Sequence, residues 1–322
     1  MVRDRVDTRL RTVNDLTDIV SSPVIGSIPL DADRENHPNL MLNDPTSHGA
    51  EAFRRLRTNL RFLSVDNHAN VYTITSSVQG EGKSSTVSNL ALAMAQAGQR
   101  VLVVDTDLRR PVVDNYFGVS GGVGLTNVLI GEAALDDVVQ EGSHENLFVL
   151  AAGRIPPNPS ELLGSDEMRQ VIEQASGEYD AVLLDAPPLL PVTDSTLLAR
   201  MTGGVVLVVS LNQVRREQVR GSLDSLAAVD VPVLGVVVNG VDKRADAYGY
   251  GYGTYKADSS KQGKRSSRRA KGGEPLADLE TVREEPVQSL GTAQQDVVEP
   301  VPNAGGGATV TTPETSAAAD RG

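Results

Sequence analysis

Three stretches of this 322-residue chain have residue types and spacing suited to handling a polyphosphate. The first is Ser76-Ser77-Val78-Gln79-Gly80-Glu81-Gly82-Lys83-Ser84-Ser85, directly after the apolar run VYTIT at 71–75. It matches G-x-x-x-x-G-K-[ST] at every place but the first, where Ser77 replaces glycine. Gly80 and Gly82 let the backbone curl so that its N–H groups converge on phosphate oxygens. A helix starting at the loop turns its positive end to the anion. Lys83 supplies a point charge at the outer phosphates, and the Ser84 hydroxyl is a magnesium ligand. A glycine-rich turn with an exposed lysine is the bland alternative, and the strand–loop–helix setting opposes it.

The second stretch, Leu102-Val103-Val104-Asp105-Thr106-Asp107-Leu108-Arg109-Arg110-Pro111, sends two carboxylates off the end of a buried strand. Ligands bind at that edge of an open α/β sheet, so Asp105 and Asp107 face the same phosphates. There they can orient or deprotonate a hydroxyl and supply oxygens to magnesium. An Asp-capped strand-end turn is the alternative. The third, Tyr179-Asp180-Ala181-Val182-Leu183-Leu184-Asp185-Ala186-Pro187-Pro188, is four apolar residues ending in an acid, a Walker B pattern with Asp185 on magnesium.

These residues need strands that end side by side. The runs at 71–75, 101–105, 147–152, 180–186, 204–210 and 232–240 are continuous rather than alternating, which predicts a parallel sheet covered on both faces. Helical patterns at 49–64, 84–97, 165–176, 194–201 and 216–228 lie between or before them. The fold class is α/β, a doubly wound, mostly parallel sheet of the P-loop NTPase kind. The chain divides into a linker over 1–48, a catalytic domain over 49–245, a tyrosine cluster over 246–256 and a disordered tail over 257–322. From Lys256 to Gly272 there are seven basic residues and one acid, and from Gly273 to the end nine acids and two arginines. Neither block offers enough apolar area to offset ordering entropy.

Composition removes several classes. Cysteine is absent, so disulfides, thiolate metal sites and cysteine nucleophiles are excluded. The four histidines do not stand at ligand spacing. No apolar run approaches the roughly 18 residues that span a bilayer, and MVRDRVDTRL has no secretory h-region. The net charge of −12 opposes general nucleic-acid binding. Tryptophan is absent and phenylalanine numbers four, so the core must be aliphatic. Four of the seven tyrosines, Tyr248, Tyr250, Tyr252 and Tyr255, stand together, with glycine between the first three and after Tyr252. Such a segment resists helix formation and leaves the phenols reachable. A sticky Tyr/Gly linker is the alternative.

The order of loop, Val103-Val104-Asp105-Thr106-Asp107-Leu108-Arg109 and Asp185-Ala186-Pro187-Pro188 resembles the bacterial tyrosine kinases, the autokinases of capsular and exopolysaccharide export. Glu51-x-x-Arg54-x-x-Arg57, the Pro156-Pro157-Asn158-Pro159-Ser160-Glu161-Leu162-Leu163 segment and the tyrosine cluster strengthen the resemblance, which covers about 1–255. It implies an ATP- and Mg2+-dependent protein-tyrosine autokinase. The nucleotide would lie on Ser77, Gly80, Glu81, Gly82, Lys83, Ser84 and Ser85, and the metal on Ser84, Asp107 and Asp185. Lys83, Asp105, Asp107 and Asp185 would be catalytic, with Asp105 as base or orienter. The tyrosines of a neighbouring subunit would be the acceptors. It also implies ring-like homo-oligomers through Glu51, Arg54 and Arg57, although charges three apart on one helix face are equally a solvated stripe. Asn239, as in related ATPases, would reach an adenine edge, or else form an Asn-Gly turn. The segments at 8–13 and 23–30 resemble the stretch joining a membrane helix to the kinase domain. A membrane activator in cis or trans, the polysaccharide export machinery as partner and a place on the cytoplasmic face of the plasma membrane follow from this. Competing readings are a MinD/ParA-type ATPase, whose second loop lysine is replaced here by Val78, and an ATP-binding scaffold of polysaccharide export without kinase activity.

Overall fold

Strands form where the apolar runs are unbroken, because β-branched and leucine side chains can then be buried on both faces of the pleat. The computed structural model describes residues 8–30, 39–67 and 70–242. It contains β1 (Val24–Pro29), β2 (Val71–Ser76), β3 (Val101–Asp105), β4 (Gln140–Glu141), β5 (Leu147–Leu150), β6 (Ala181–Asp185), β7 (Val205–Ser210) and β8 (Val233–Val241). The helices are α1 (Val13–Thr17), α2 (Leu40–Asn43), α3 (His48–Asn67), α4 (Lys83–Ala95), α5 (Val113–Phe117), α6 (Leu125–Leu129), α7 (Leu135–Val138), α8 (Pro159–Leu163), α9 (Asp166–Glu178), α10 (Asp194–Thr202) and α11 (Arg216–Ala227). The strands make one sheet in the order β1-β8-β7-β2-β6-β3-β5-β4. Every pairing is parallel except that of β4 with β5. The expected doubly wound sheet is therefore present.

Every residue of β2, β3 and β6 is buried. Alternate residues serve opposite faces. Val103, Leu183 and Val208 pack with α3 and α4, while Leu102, Val182 and Leu184 pack with α6 and α9. Leu207, Val209, Val236 and Val238 meet α10, α11 and the N-terminal segment. α4 runs through the middle, with Ser84 to Ala95 all buried. Its Ser, Ala and Thr side chains allow close approach, and Ser88 and Thr86 satisfy their hydroxyls on the Ser84 and Gly82 carbonyls.

The expectation of a linker over 1–48 does not hold for its described residues. β1 is the edge strand beside β8. Leu10 and Leu16 are fully buried in the third core cluster. Leu10 N donates to the Val214 carbonyl, and Asn212 N donates to the Leu10 carbonyl. The apolar PVIGSIPL run was short because β1 needs only a few residues, and the physical cause of its docking is the open edge of β8. Tyr248, Tyr250, Tyr252, Tyr255 and the two charged blocks after them lie outside the described residues.

A buried leucine of the core costs roughly 2–5 kcal/mol when cut to alanine, whereas a linker residue costs within about 0.5 kcal/mol. Leu10→Ala is expected to lose an amount in the first range in urea unfolding of the full chain. An unchanged midpoint would return residues 8–16 to the role of linker.

Candidate functional site

The ends of β2, β6 and β3 lie next to one another. The register sets Asp105 beside Asp185 and Ile74 on the other side of Asp185. The loop leaving β2 therefore enters α4 within reach of both acidic strand ends. Gly80 and Gly82 have φ of +88° and +89°, a left-handed conformation that glycine adopts without steric cost. Gly82 immediately precedes α4, and the first turn of that helix contains no acid. Its unpaired N–H groups and positive dipole end are left for an anion.

Lys83 occupies the centre. Its Nζ lies 3.2 Å from Asp185 Oδ1 and 3.3 Å from Asp107 Oδ2, and it donates to Ser84 Oγ at 3.3 Å. Burial alone would lower the Lys83 pKa, but Asp185, Asp107 and Asp105 outweigh it and hold the ammonium above its ordinary value. Burial pushes the Asp185 carboxyl up against the pull of Lys83. Asp185 Oδ2 is buried and has no hydrogen-bond partner. A buried acceptor of that kind, beside a second carboxylate and the Ser84 hydroxyl, suits a hard cation, which takes oxygen ligands.

Asp105 is placed differently from the other two acids. Its Oδ1 accepts from Asp107 N at 3.1 Å, and its Oδ2 accepts from Val112 N at 3.0 Å and Val113 N at 2.9 Å. Burial, reinforced by the Asp185 charge, raises its pKa to about 7. Both oxygens thus shape the loop that carries Asp107. Arg109 extends this framework. Its Nε donates to Asp194 Oδ2 at 2.8 Å, and its Nη2 donates to Ser160 Oγ at 2.9 Å and Asp194 Oδ1 at 3.2 Å. Asp194 is fully buried at the start of α10. The sequence displays Arg109 and the 156–163 segment separately. Nothing in it signals that Asp194 joins them.

Glu81 does not face outward from the loop. It is buried, and its carboxylate accepts from Val78 N at 2.8 Å and Ser210 N at 2.9 Å. Burial raises its pKa to about 7 against the pull of those N–H groups. Asn239 lies within β8, so the Asn-Gly turn is overturned. Its Nδ2 donates to the Glu81 carbonyl at 2.8 Å and to Thr86 Oγ1 at 3.2 Å, while its Oδ1 has no partner. Asn239 and Ser85 line a cavity of about 160 Å3 walled also by Ile28, Phe53, Leu211 and Gly240. Ser77 Oγ is buried without a partner.

The α3 charges are occupied inside the subunit. Arg54 pairs with Glu51 at 3.3 Å and donates to the Pro45 carbonyl at 2.7 Å. Arg57 donates to the Ala93 carbonyl at 3.0 Å, near the end of α4. Among the described residues no cluster of three His, Asp or Glu is arranged for a metal, and no helix is long and apolar enough to cross a membrane.

Residues 69–220 match a family model described as an AAA domain. The chain is 41% identical over 217 residues to the tyrosine-protein kinase YwqD of Bacillus subtilis (strain 168), a match spanning 67% of this chain and 91% of that one. It is 39% identical over 217 residues to the tyrosine-protein kinase Etk of Escherichia coli (strain K12), spanning 67% of this chain but 30% of that longer relative. The solved kinase domain of Escherichia coli tyrosine kinase ETK superposes with a TM-score of 0.66 at 36% identity, covering 72% of this chain and 96% of that chain. The loop, the paired acids around Lys83 and β6 all fall inside residues 69–220. With 91% of YwqD aligned at 41% identity, common descent extends over nearly the whole of that relative, and the chain belongs to the bacterial tyrosine-protein kinases.

Proposed function

We propose that the chain is an ATP-dependent tyrosine autokinase acting in polysaccharide polymerisation and export, with Tyr248, Tyr250, Tyr252 and Tyr255 of a neighbouring subunit as acceptors. The observation that carries it is Lys83 held between Asp107 and Asp185 at the mouth of a left-handed glycine loop. ATP binding gives Lys83 the outer phosphates as partners in place of the carboxylates. Gly80, Gly82, Lys83, Ser84 and Ser85 present backbone N–H groups to the phosphates. The phenol gives up its proton to a carboxylate of the site, its oxygen forms a bond to the γ-phosphorus as the bond to the β-phosphate oxygen breaks, and ADP leaves. Lys83 stabilises the charge spread over the transferred group. Asp105 holds the loop that aims Asp107. Ser84, Asp107 and Asp185 would hold Mg2+, which when bound neutralises charge on the phosphates.

The cavity beside Asn239 takes the adenine. Its unpartnered Oδ1 is an acceptor, matched by the amino group of adenine and opposed by the oxo group of guanine. The ring-like assembly through the α3 face, the membrane activator and the place at the inner membrane surface belong to the same reading and rest on the family likeness. Each phosphate adds about −1.5 to −2 charge, so a modified tyrosine cluster repels its neighbours and loosens the assembly.

The full chain, incubated with Mg2+, ATP and a membrane activator, is expected to accumulate phosphotyrosine on blots. Lys83→Met should cut the rate by about a hundredfold or more, the size of losing one charge stabiliser. An equal signal from the variant would sink the kinase reading. In equilibrium titrations ATP should bind at least about tenfold more tightly than GTP, since a mismatched buried acceptor costs that much or more. Equal affinities would remove Asn239 from base recognition.

A third test concerns pH. An acid whose pKa rises from 3.8 unfolded to about 7 folded adds stability below the lower value and loses it as pH climbs through the upper one. The nucleotide-free protein should therefore melt at falling temperature as pH rises from about 4 to about 7 and level off above that. Asp105→Asn should flatten that slope; its NH2 group faces a backbone N–H donor and lowers the melting temperature overall, least above the upper pKa, where the parent carries the buried charge. An unaltered slope would show that Asp105 does not titrate there.

A further inference from the structure

Glu81 is a carboxylate buried in a loop built for anions, and the transfer chemistry does not use it. Glycines with left-handed φ stand on both sides of it. Its two oxygens accept from two different pieces of backbone, Val78 N inside the loop and Ser210 N at the end of β7. Its own carbonyl accepts from Asn239 on β8. The β7–β8 register sets Ser210 beside Asn239, and both residues line the cavity. One residue of the phosphate loop is thus fastened to the two strand ends that wall the neighbouring cavity. Val78 N is at the same time turned into the protein, away from any phosphate.

We infer that Glu81 is a positioning residue that fixes the distance between the phosphate cradle and the base cavity, so that one nucleoside triphosphate engages both at once. The inference rests on the cavity taking the base. Two subsites joined through a rigid ligand add their affinities only if their separation is preset; otherwise binding must order the loop. A carboxylate suits this post because it is acceptor-only and its bonds to N–H groups are charge-assisted. Glutamine has nearly the same volume but turns an NH2 group toward one of the two N–H donors, so one of the two ties is lost. Aspartate is one methylene too short to reach both.

The test measures binding of ATP and of inorganic tripolyphosphate to the full chain, with Mg2+, by titration calorimetry. The parent should bind ATP more tightly than tripolyphosphate by a large factor. In Glu81→Gln the ATP affinity should fall about tenfold while tripolyphosphate stays within about twofold. KM for ATP should rise with kcat nearly unchanged, and Glu81→Asp should behave likewise. Melting curves identify which variant is folded, and either one suffices. Equal weakening of both ligands, or no weakening of ATP, would overturn the inference while leaving the cavity as the base site. A parent that binds both ligands equally would overturn the base site itself, and the inference with it.

Discussion

Lys83 sits where two strand ends bring three carboxylates out of water, and the local structure follows from keeping that charge balanced. Asp105 and Asp185 are completely buried, and Asp107 nearly so. Isolated buried carboxylates are too costly to keep ionised. The lysine shared by Asp107 and Asp185, and the three backbone N–H groups on Asp105, are the compensations present without ligand. The compensation is incomplete: Asp185 Oδ2 lacks a partner, and both Asp105 and Asp185 have raised pKa values. A site held short of full satisfaction is poised to accept a cation and a polyanion together, because those ligands complete bonds that the chain leaves open.

The scaffold around it explains why few aromatics are needed. Val, Leu and Ile on both faces of β2, β3 and β6 fill the space between sheet and helices, and α4 presents small residues where it crosses the sheet. This central helix is buried along its length, so packing on all sides holds the first turn from which the phosphate loop springs. The loop in turn is braced on one side by Glu81 and Asn239 against β7 and β8. On the other side the Asp107 segment is braced through Arg109 to Asp194 and Ser160. The Glu81–Asn239 brace is polar and buried, and Arg109 reaches the buried Asp194 from the exposed side; such polar ties specify a single geometry more sharply than apolar packing does.

The N-terminal segment is part of this economy. By adding β1 to the open edge of β8 and threading Leu10 against Val214, it covers the strand ends that wall the cavity. Asn212 donates its N–H to the Leu10 carbonyl and lines the same cavity. Residues that look like a connector are therefore built into the wall of the site.

The central strands, the long helices and the candidacy of Lys83, Ser84, Asp107 and Asp185 were legible in the sequence alone, because period, glycine spacing and acids at strand ends are local properties. Tertiary structure alone decided the rest. Arg57 turned to the end of α4 and Glu81 inward, since each found a partner on an element distant in sequence, while Asp105 turned to the backbone of its own loop. Arg109 met Asp194 across 85 positions, and Asn239 met Glu81 across 158. Such pairings depend on strand order and register, and no spacing rule along the chain encodes them. Composition explained an aliphatic core; only the folded sheet decided which buried polar groups it would leave without partners, and those on Ser77, Asp185 and Asn239 stand at the candidate site.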